Sequence, residues 1–363
     1  FKMSSTASNW EDHVSSALVV PLRNGGMSEV VLVTQPSTGE QQVCKRAKQT
    51  EDAAKQATFK AAIINELNIL KGIHQHCGNP HPNIVRLISD ELVDGEWIML
   101  EYVPDGSLDK ECTPLNLSPQ DILSIAHQSI TAVAFLHDKG IIHRDIKPHN
   151  ILYFRSDDGG IVVKLTDFGL AAYENKASGY AGTPKYAAPE VLQRRVCFAS
   201  DVWSWACSIA HLTTGINPYD GDCTFVPFSD ELRDAGLPAA FGNLLLSCFA
   251  SDPRQRPTAK HLESLCCLAE NHFPDAVEGV SDETGDSADA STADSSSSMA
   301  QRSSRMMCGK VKSQPSFLLR PTTQTSLIVP QPSPTTKIST DAESIIITLL
   351  LMVEIHVTTM LAR

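Results

Sequence analysis

The stretch His143-Arg144-Asp145-Ile146-Lys147-Pro148-His149-Asn150 gathers a carboxylate, an ammonium and a carboxamide into one short loop. Asp145 could take a proton from a hydroxyl, Lys147 could balance an anionic group, and Asn150 offers an oxygen to a hard cation. Asp167-Phe168-Gly169 adds a second carboxylate at the end of an apolar β-like run, and Ala188-Pro189-Glu190 follows. Taken singly, an Asp, Asn or Lys in a loop is most often a solvated surface residue, and either triplet can arise by chance. The eight-residue stretch is far more specific, and the three together leave little room for accident.

In their order and spacing the three stretches resemble the catalytic loop, the magnesium loop and the end of the activation segment of eukaryotic protein kinases. The resemblance spans about residues 17–273. It implies transfer of the γ-phosphate of ATP, a chemistry that is mostly positioning and charge neutralisation. Asp145 would accept or orient the proton of the attacking hydroxyl, with Lys147 beside the γ-phosphate. Asn150 and Asp167 would hold Mg²⁺, and His143 would pack on Phe168. Thr183, in Gly182-Thr183-Pro184-Lys185-Tyr186, would bond to Asp145 and Lys147. That stretch and Lys147-Pro148-His149-Asn150 both resemble the serine/threonine branch rather than the tyrosine branch. In the family, the arginine before the catalytic Asp often pairs with a phosphate on the activation segment. Arg144 stands there, and Ser178 is the first choice for an upstream activating kinase. Asp201 resembles the residue that anchors the catalytic-loop backbone, and Arg256 the buried partner of Glu190.

These groups need elements to hold them. Val19–Leu22 and Val30–Thr34 flank Asn24-Gly25-Gly26, a hairpin signal, and a further strand runs over Gln42–Lys45. The resemblance makes Lys45 the phosphate-binding lysine. A helix is predicted over about 51–71, with Phe59, Ile63 and Leu70 on its apolar face. Glu66 lies on that face, where a carboxylate needs a cation, and Lys45 is its natural partner. Strands are predicted over about 84–92 and 96–103. By resemblance the adenine would stack between Val30 and Val43 above and Leu152 below. The main chain from Glu101 to Val103 would bond its edge, with Leu100 as gatekeeper. The family's glycine-rich pattern is incomplete: Gly25 and Val30 are in place, but Arg23 and Ser28 stand where the outer glycines belong.

Farther on, Ser118 can cap a helix, Pro119 suits its first position and Asp121 complements its dipole. Residues 151–154 and 161–165 read as a hairpin, and 201–212 as a buried central helix. The fold class expected is α+β: the two-lobed protein kinase fold, with a small β-rich lobe over 17–103 and a larger, mainly helical lobe over 104–273. Residues 1–16 read as a loose polar segment. A Ser-, Asp- and Pro-rich stretch, 274–343, has a disordered composition. The apolar run in 344–363 falls short of the roughly 20 residues a membrane span needs.

Apolar residues make up 42%, enough for a sizeable core, and the formal net charge of -12 carries no basic nucleic-acid footprint. The ten cysteines form no CxxC pair, and no apolar leader follows Phe1, so reduced thiols in a cytoplasmic or nuclear protein are expected. The reading is a serine/threonine kinase using ATP and Mg²⁺ on protein substrates, with no nucleic-acid or membrane partner. Two alternatives stand beside it: a pseudokinase scaffold, suggested by the incomplete glycine loop, and a kinase-fold enzyme acting on a small molecule or lipid.

Overall fold

The computed structural model describes residues 17–77, 80–89, 91–93, 96–109, 117–216, 218 and 229–272. The expected segments 1–16, 274–343 and 344–363 lie outside the described residues.

Four antiparallel strands form the first sheet: β1 (Leu18–Asn24), β2 (Ser28–Thr34), β3 (Gln41–Ala47) and β4 (Ile98–Glu101), in that order. Side chains alternate across a strand, and this sheet uses both faces. Val31, Val33, Cys44 and Met99 turn outward into a small cluster with Val93 and Trp97. Residues of the other parity, Val30, Val43 and Lys45, turn inward to line a cleft. Register pairs Val30 with Lys45 and Val43 with Leu100, which places the cation among apolar neighbours.

Helix α1 (Ala53–Cys77) packs beneath this sheet. Asp52 caps its start by accepting from the N–H groups of Ala54 and Lys55 at 3.0 and 3.1 Å. Ile63, Leu67, Leu70 and Ile73 form its buried face. The helix runs beyond the predicted 71, continuing through Gly72 to Cys77. A Cβ at Gly72 would lie 3.1 Å from the Tyr173 hydroxyl, so glycine serves close packing there.

Among the described residues of 84–92, the predicted strand does not form as a regular element. Ile84 and Leu87 make only isolated bridges, to Leu165 and Leu100 respectively. The backbone here divides its bonds between two sheets: Val85 N–H goes to Leu165 and Ile88 N–H to Met99, while Arg86 N–H is taken by the Glu101 carboxylate. The second predicted strand is realised only as β4.

The rest of the described chain is mainly helical. Its long elements are α2 (Pro119–Asp138), α4 (Phe198–Thr214) and α7 (Ala259–His272), with shorter α3 (Pro189–Leu192), α5 (Ser229–Arg233) and α6 (Ala239–Ser247). Ser118 and Asp121 form the capping box expected at the start of α2. Two small two-stranded antiparallel sheets complete the lobe: β5 (Ile141–Ile142) with β8 (Ala172–Tyr173), and the hairpin β6 (Ile151–Arg155) with β7 (Ile161–Leu165). A large core joins the inner side of the first sheet and α1 to α2, α4 and α7, with Trp205 fully buried. This is the predicted α+β, two-lobed arrangement. No helix among the described residues is long and apolar enough to cross a membrane.

Candidate active site

A cleft of about 610 Å³ lies between the first sheet and the helical part, within the range of small-molecule sites. Every site residue named from the sequence lines it: Gly25, Val30, Val43, Lys45, Glu66, Glu101, Val103, Asp145, Lys147, Asn150, Leu152, Asp167 and Thr183.

Asp145 stands at its floor, on the loop between β5 and β6. Backbone anchoring begins with Asp201, near the start of α4, whose carboxylate accepts from His143 N–H at 2.8 Å and Arg144 N–H at 2.9 Å. That bond pair holds Arg144 in a left-handed conformation, φ 70°, which a non-glycine residue rarely adopts. Burial would raise the Asp201 carboxyl, but bonds from His137 and the loop backbone outweigh it and hold the group down. His143 Nε2 bonds to the Thr166 carbonyl at 3.1 Å, and its ring meets Phe168 edge-on with centroids 4.9 Å apart.

The Asp145 carboxylate is then pinned at both oxygens. Oδ1 accepts from Thr183 N–H at 2.9 Å and from its hydroxyl at 2.7 Å. Oδ2 accepts from Lys147 Nζ at 2.7 Å and Asn150 Nδ2 at 3.0 Å. Lys147 also reaches the Thr183 hydroxyl at 2.7 Å. Thr183 comes this close because Gly182 precedes it at φ 101°, where a side chain would run into the Arg144 carbonyl.

Across the cleft, Lys45 on β3 bonds Glu66 on α1 at 2.7 Å and Asp167 at 2.8 Å. Burial alone would pull the Lys45 ammonium down, but Asp167 and Glu66 outweigh it and hold it above its ordinary range. Lys45 in turn holds the Asp167 carboxyl at about 2, against the opposing effect of burial. Complete burial lifts the Glu66 carboxyl above the usual carboxylate range, and Lys45 offsets this only in part.

The donor set fits Mg-nucleotide. Among the described residues no group of three or more His, Cys, Asp or Glu gathers for a metal. Mg²⁺ asks for less, since it binds through one or two protein oxygens and keeps its other positions for phosphate and water. Asp167 supplies a carboxylate that stays ionised. Asn150 turns its nitrogen onto Asp145, which leaves its amide oxygen as the atom offered to a cation. Val30, Val43 and Leu152 line the same cleft as Leu100, which is buried. The Glu101 carboxylate turns away to Arg86 N–H and Lys164, so the contribution expected of Glu101 to a purine edge is main chain only. At the glycine loop, Gly25 N–H bonds the Ser28 carbonyl at 2.9 Å. The turn closes over the cleft with Ser28 in place of an outer glycine.

Supporting pairs fall where the sequence suggested. Glu190 on α3 receives two bonds from Arg256, at 2.7 and 2.9 Å, and one from Ser200 at 2.8 Å. Arg144 donates to the Ser178 and Gly179 carbonyls at 2.8 and 3.3 Å. Two residues escaped sequence reasoning. His149 pairs with buried Asp109 at 2.5 Å at the edge of the cleft. Asn65 on α1 bonds three carbonyls of the segment after Asp167. The only signal for Asn65 was a polar residue adjoining Glu66.

Comparison with known proteins agrees with this geometry. The protein kinase domain family matches residues 19–265. The chain is 35% identical over 217 residues to the serine/threonine-protein kinase STE20 of Eremothecium gossypii, covering 56% of this chain and 21% of that protein. It is 37% identical over 166 residues to STE20 of Saccharomyces cerevisiae, covering 44% and 17%. It is 34% identical over 217 residues to MAP3K epsilon protein kinase 1 of Arabidopsis thaliana, covering 56% and 15%. The chain thus aligns with a fifth or less of the length of the last two relatives, and 21% of the first. With the family matched over most of its length, and the family's motif residues gathered in one cleft, the chain belongs to the protein kinase domain family.

Proposed function

We propose that this chain is a serine/threonine protein kinase that transfers the γ-phosphate of Mg-ATP to serine or threonine hydroxyls of protein substrates. The observation that carries the reading is the Asp145 carboxylate, held at both oxygens by Thr183, Lys147 and Asn150 and facing the cleft that Lys45 enters from above. Asp145 accepts or orients the proton of the acceptor hydroxyl. Lys147 sets a positive charge beside the same carboxylate, where negative charge develops during transfer. Lys45, aimed by Glu66, holds the nucleotide phosphates in position. When bound through Asp167 and Asn150, Mg²⁺ neutralises phosphate charge. The relatives named serine/threonine-protein kinase support serine/threonine acceptors, as does the Lys147–Thr183 bond.

An upstream kinase acting at Ser178 is part of the same proposal. Arg144 already reaches the Ser178 carbonyl, and its buried Nε has no partner among the described residues. A phosphate on Ser178 would give that nitrogen an acceptor.

The test is transfer of radiolabelled γ-phosphate to a generic protein, wild type beside Asp145→Asn, with phosphoamino-acid analysis. Label on serine or threonine that disappears in the variant is expected. Wild type that transfers nothing, even after incubation with an activating kinase, overturns the reading in favour of a non-catalytic binding module. Full activity of Ser178→Ala after phosphatase treatment removes Ser178 from the proposal.

A further inference from the structure

Asn65 immediately precedes Glu66 on α1 and takes no part in the ion pairs of the cleft. Its carboxamide nitrogen lies 3.2 Å from the Phe168 carbonyl oxygen, 3.1 Å from that of Gly169 and 2.8 Å from that of Ala171. Three acceptors facing one group require a donor. The opposite flip of the amide would set oxygen against oxygen, so the chemistry fixes its orientation.

The segment Asn65 grips follows Asp167 directly. Asp167 has a left-handed backbone, φ 66° and ψ 69°, unfavourable for a residue with a side chain. Something must hold it there. Lys45 holds the carboxylate, but the backbone is held from α1. A Cβ on Gly169 would touch Ala62 at 3.4 Å, so helix and segment are in close contact. Asn65 supplies the directional bonds across that contact. Its two N–H bonds are shared among the three oxygens; the Phe168 carbonyl also accepts from Ala171 N–H at 3.1 Å, so without Asn65 the Gly169 and Ala171 carbonyls lose its donor.

We propose that Asn65 is a positioning residue for phosphoryl transfer. It fastens the backbone of Phe168–Ala171 to α1 and so sets the angle at which Asp167 enters the cleft. Glu66 aims Lys45 and Asn65 aims Asp167 from adjacent positions of one helix, so a single displacement of α1 disengages both. The proposal rests on the kinase reading given above.

The test compares wild type with Asn65→Asp, Asn65→Ala and Asn65→Gln. Asp keeps the shape but turns a donor into an acceptor, Ala deletes it, and Gln keeps an N–H₂. Three quantities are measured: kcat as a function of Mg²⁺ concentration, the melting temperature, and amide hydrogen exchange over Phe168–Tyr173. Asp and Ala are expected to lower kcat at least about 10-fold, the scale of a misplaced catalytic group. They are also expected to raise the Mg²⁺ concentration needed for half-maximal rate. Exchange should quicken in Phe168–Tyr173 but not in α2 or α4, and Gln should recover part of each effect. Wild-type kcat and Mg²⁺ dependence in Asn65→Asp would overturn the proposal. So would a loss of rate that follows loss of folded protein while the Mg²⁺ dependence stays put. If wild type transfers no phosphate, the kinase reading fails, and the exchange measurement on Asn65→Ala still decides: unchanged exchange sinks the clamp, and faster local exchange supports it.

Discussion

Glu66 is a carboxylate with no exposed surface, placed on the apolar face of α1. Its position looks wrong for a helix until Lys45 is seen 2.7 Å away. Because burial raises its carboxyl above the usual range, Glu66 takes up a proton at higher pH than an ordinary glutamate. Asp167, held at about 2, remains ionised through the same range. The acid limb of kcat/KM for ATP is therefore expected to report Glu66. Lowering pH through its raised value neutralises the partner of Lys45 and loosens the phosphate-directed ammonium. Glu66→Gln should lower kcat/KM on the order of 100-fold and abolish that limb, as a pH–rate profile would reveal. An unchanged limb in the variant would assign it elsewhere. Glu66 was legible in the sequence because its charge contradicts the periodicity around it. Asn65 was not, since an amide beside the apolar face contradicts nothing and its bonds cross 103 to 106 positions of chain.

Local elements were legible where side chains and backbone agreed. The Ser118-Pro119-Gln120-Asp121 start of α2 shows this. Ser118 Oγ accepts from Asp121 N–H at 3.1 Å, and the Asp121 carboxylate accepts from Ser118 N–H at 2.9 Å. The same carboxylate also receives two bonds from Arg155 on β6, at 2.7 and 2.9 Å, so the cap ties a helix to a hairpin. Ser118→Ala is expected to cost about 1 kcal/mol of stability with kcat unaltered, measured by denaturant unfolding beside a phosphotransfer assay. A larger loss would mean that Asp121 lets go of Arg155 as well. Legibility failed where partners were distant. Residues 84–92 have strand-like composition, but their bonds go to β7, to β4 and to the Glu101 side chain in turn. No local pattern encodes such a division. The helix predicted to end at about 71 runs on to Cys77, through Gly72, whose lack of a Cβ answers to Tyr173 from another element.

At the scale of the whole molecule, the helical lobe is keyed together by charges far from the cleft. Arg256 follows α6 in the chain and reaches back to Glu190 on α3, with its guanidinium 4.9 Å from the Trp203 ring. Both side chains are buried. Removing one partner leaves the other charged and unpaired in the interior, so Arg256→Ala is expected to cost about 3–5 kcal/mol. Thermal unfolding measures this, and a loss below about 1 kcal/mol would mean that solvent reaches the pair. Lys45, in contrast, links the two lobes through a single side chain, bonded to α1 on one side and to Asp167 on the other. A protonated amine with both neighbours anionic is a poor nucleophile. An amine-directed electrophile in the cleft can acylate Lys45 only in moments when those bonds part and the proton leaves. The rate of its covalent labelling is thus a clock for the breathing of the interface, readable by mass spectrometry without any substrate or turnover.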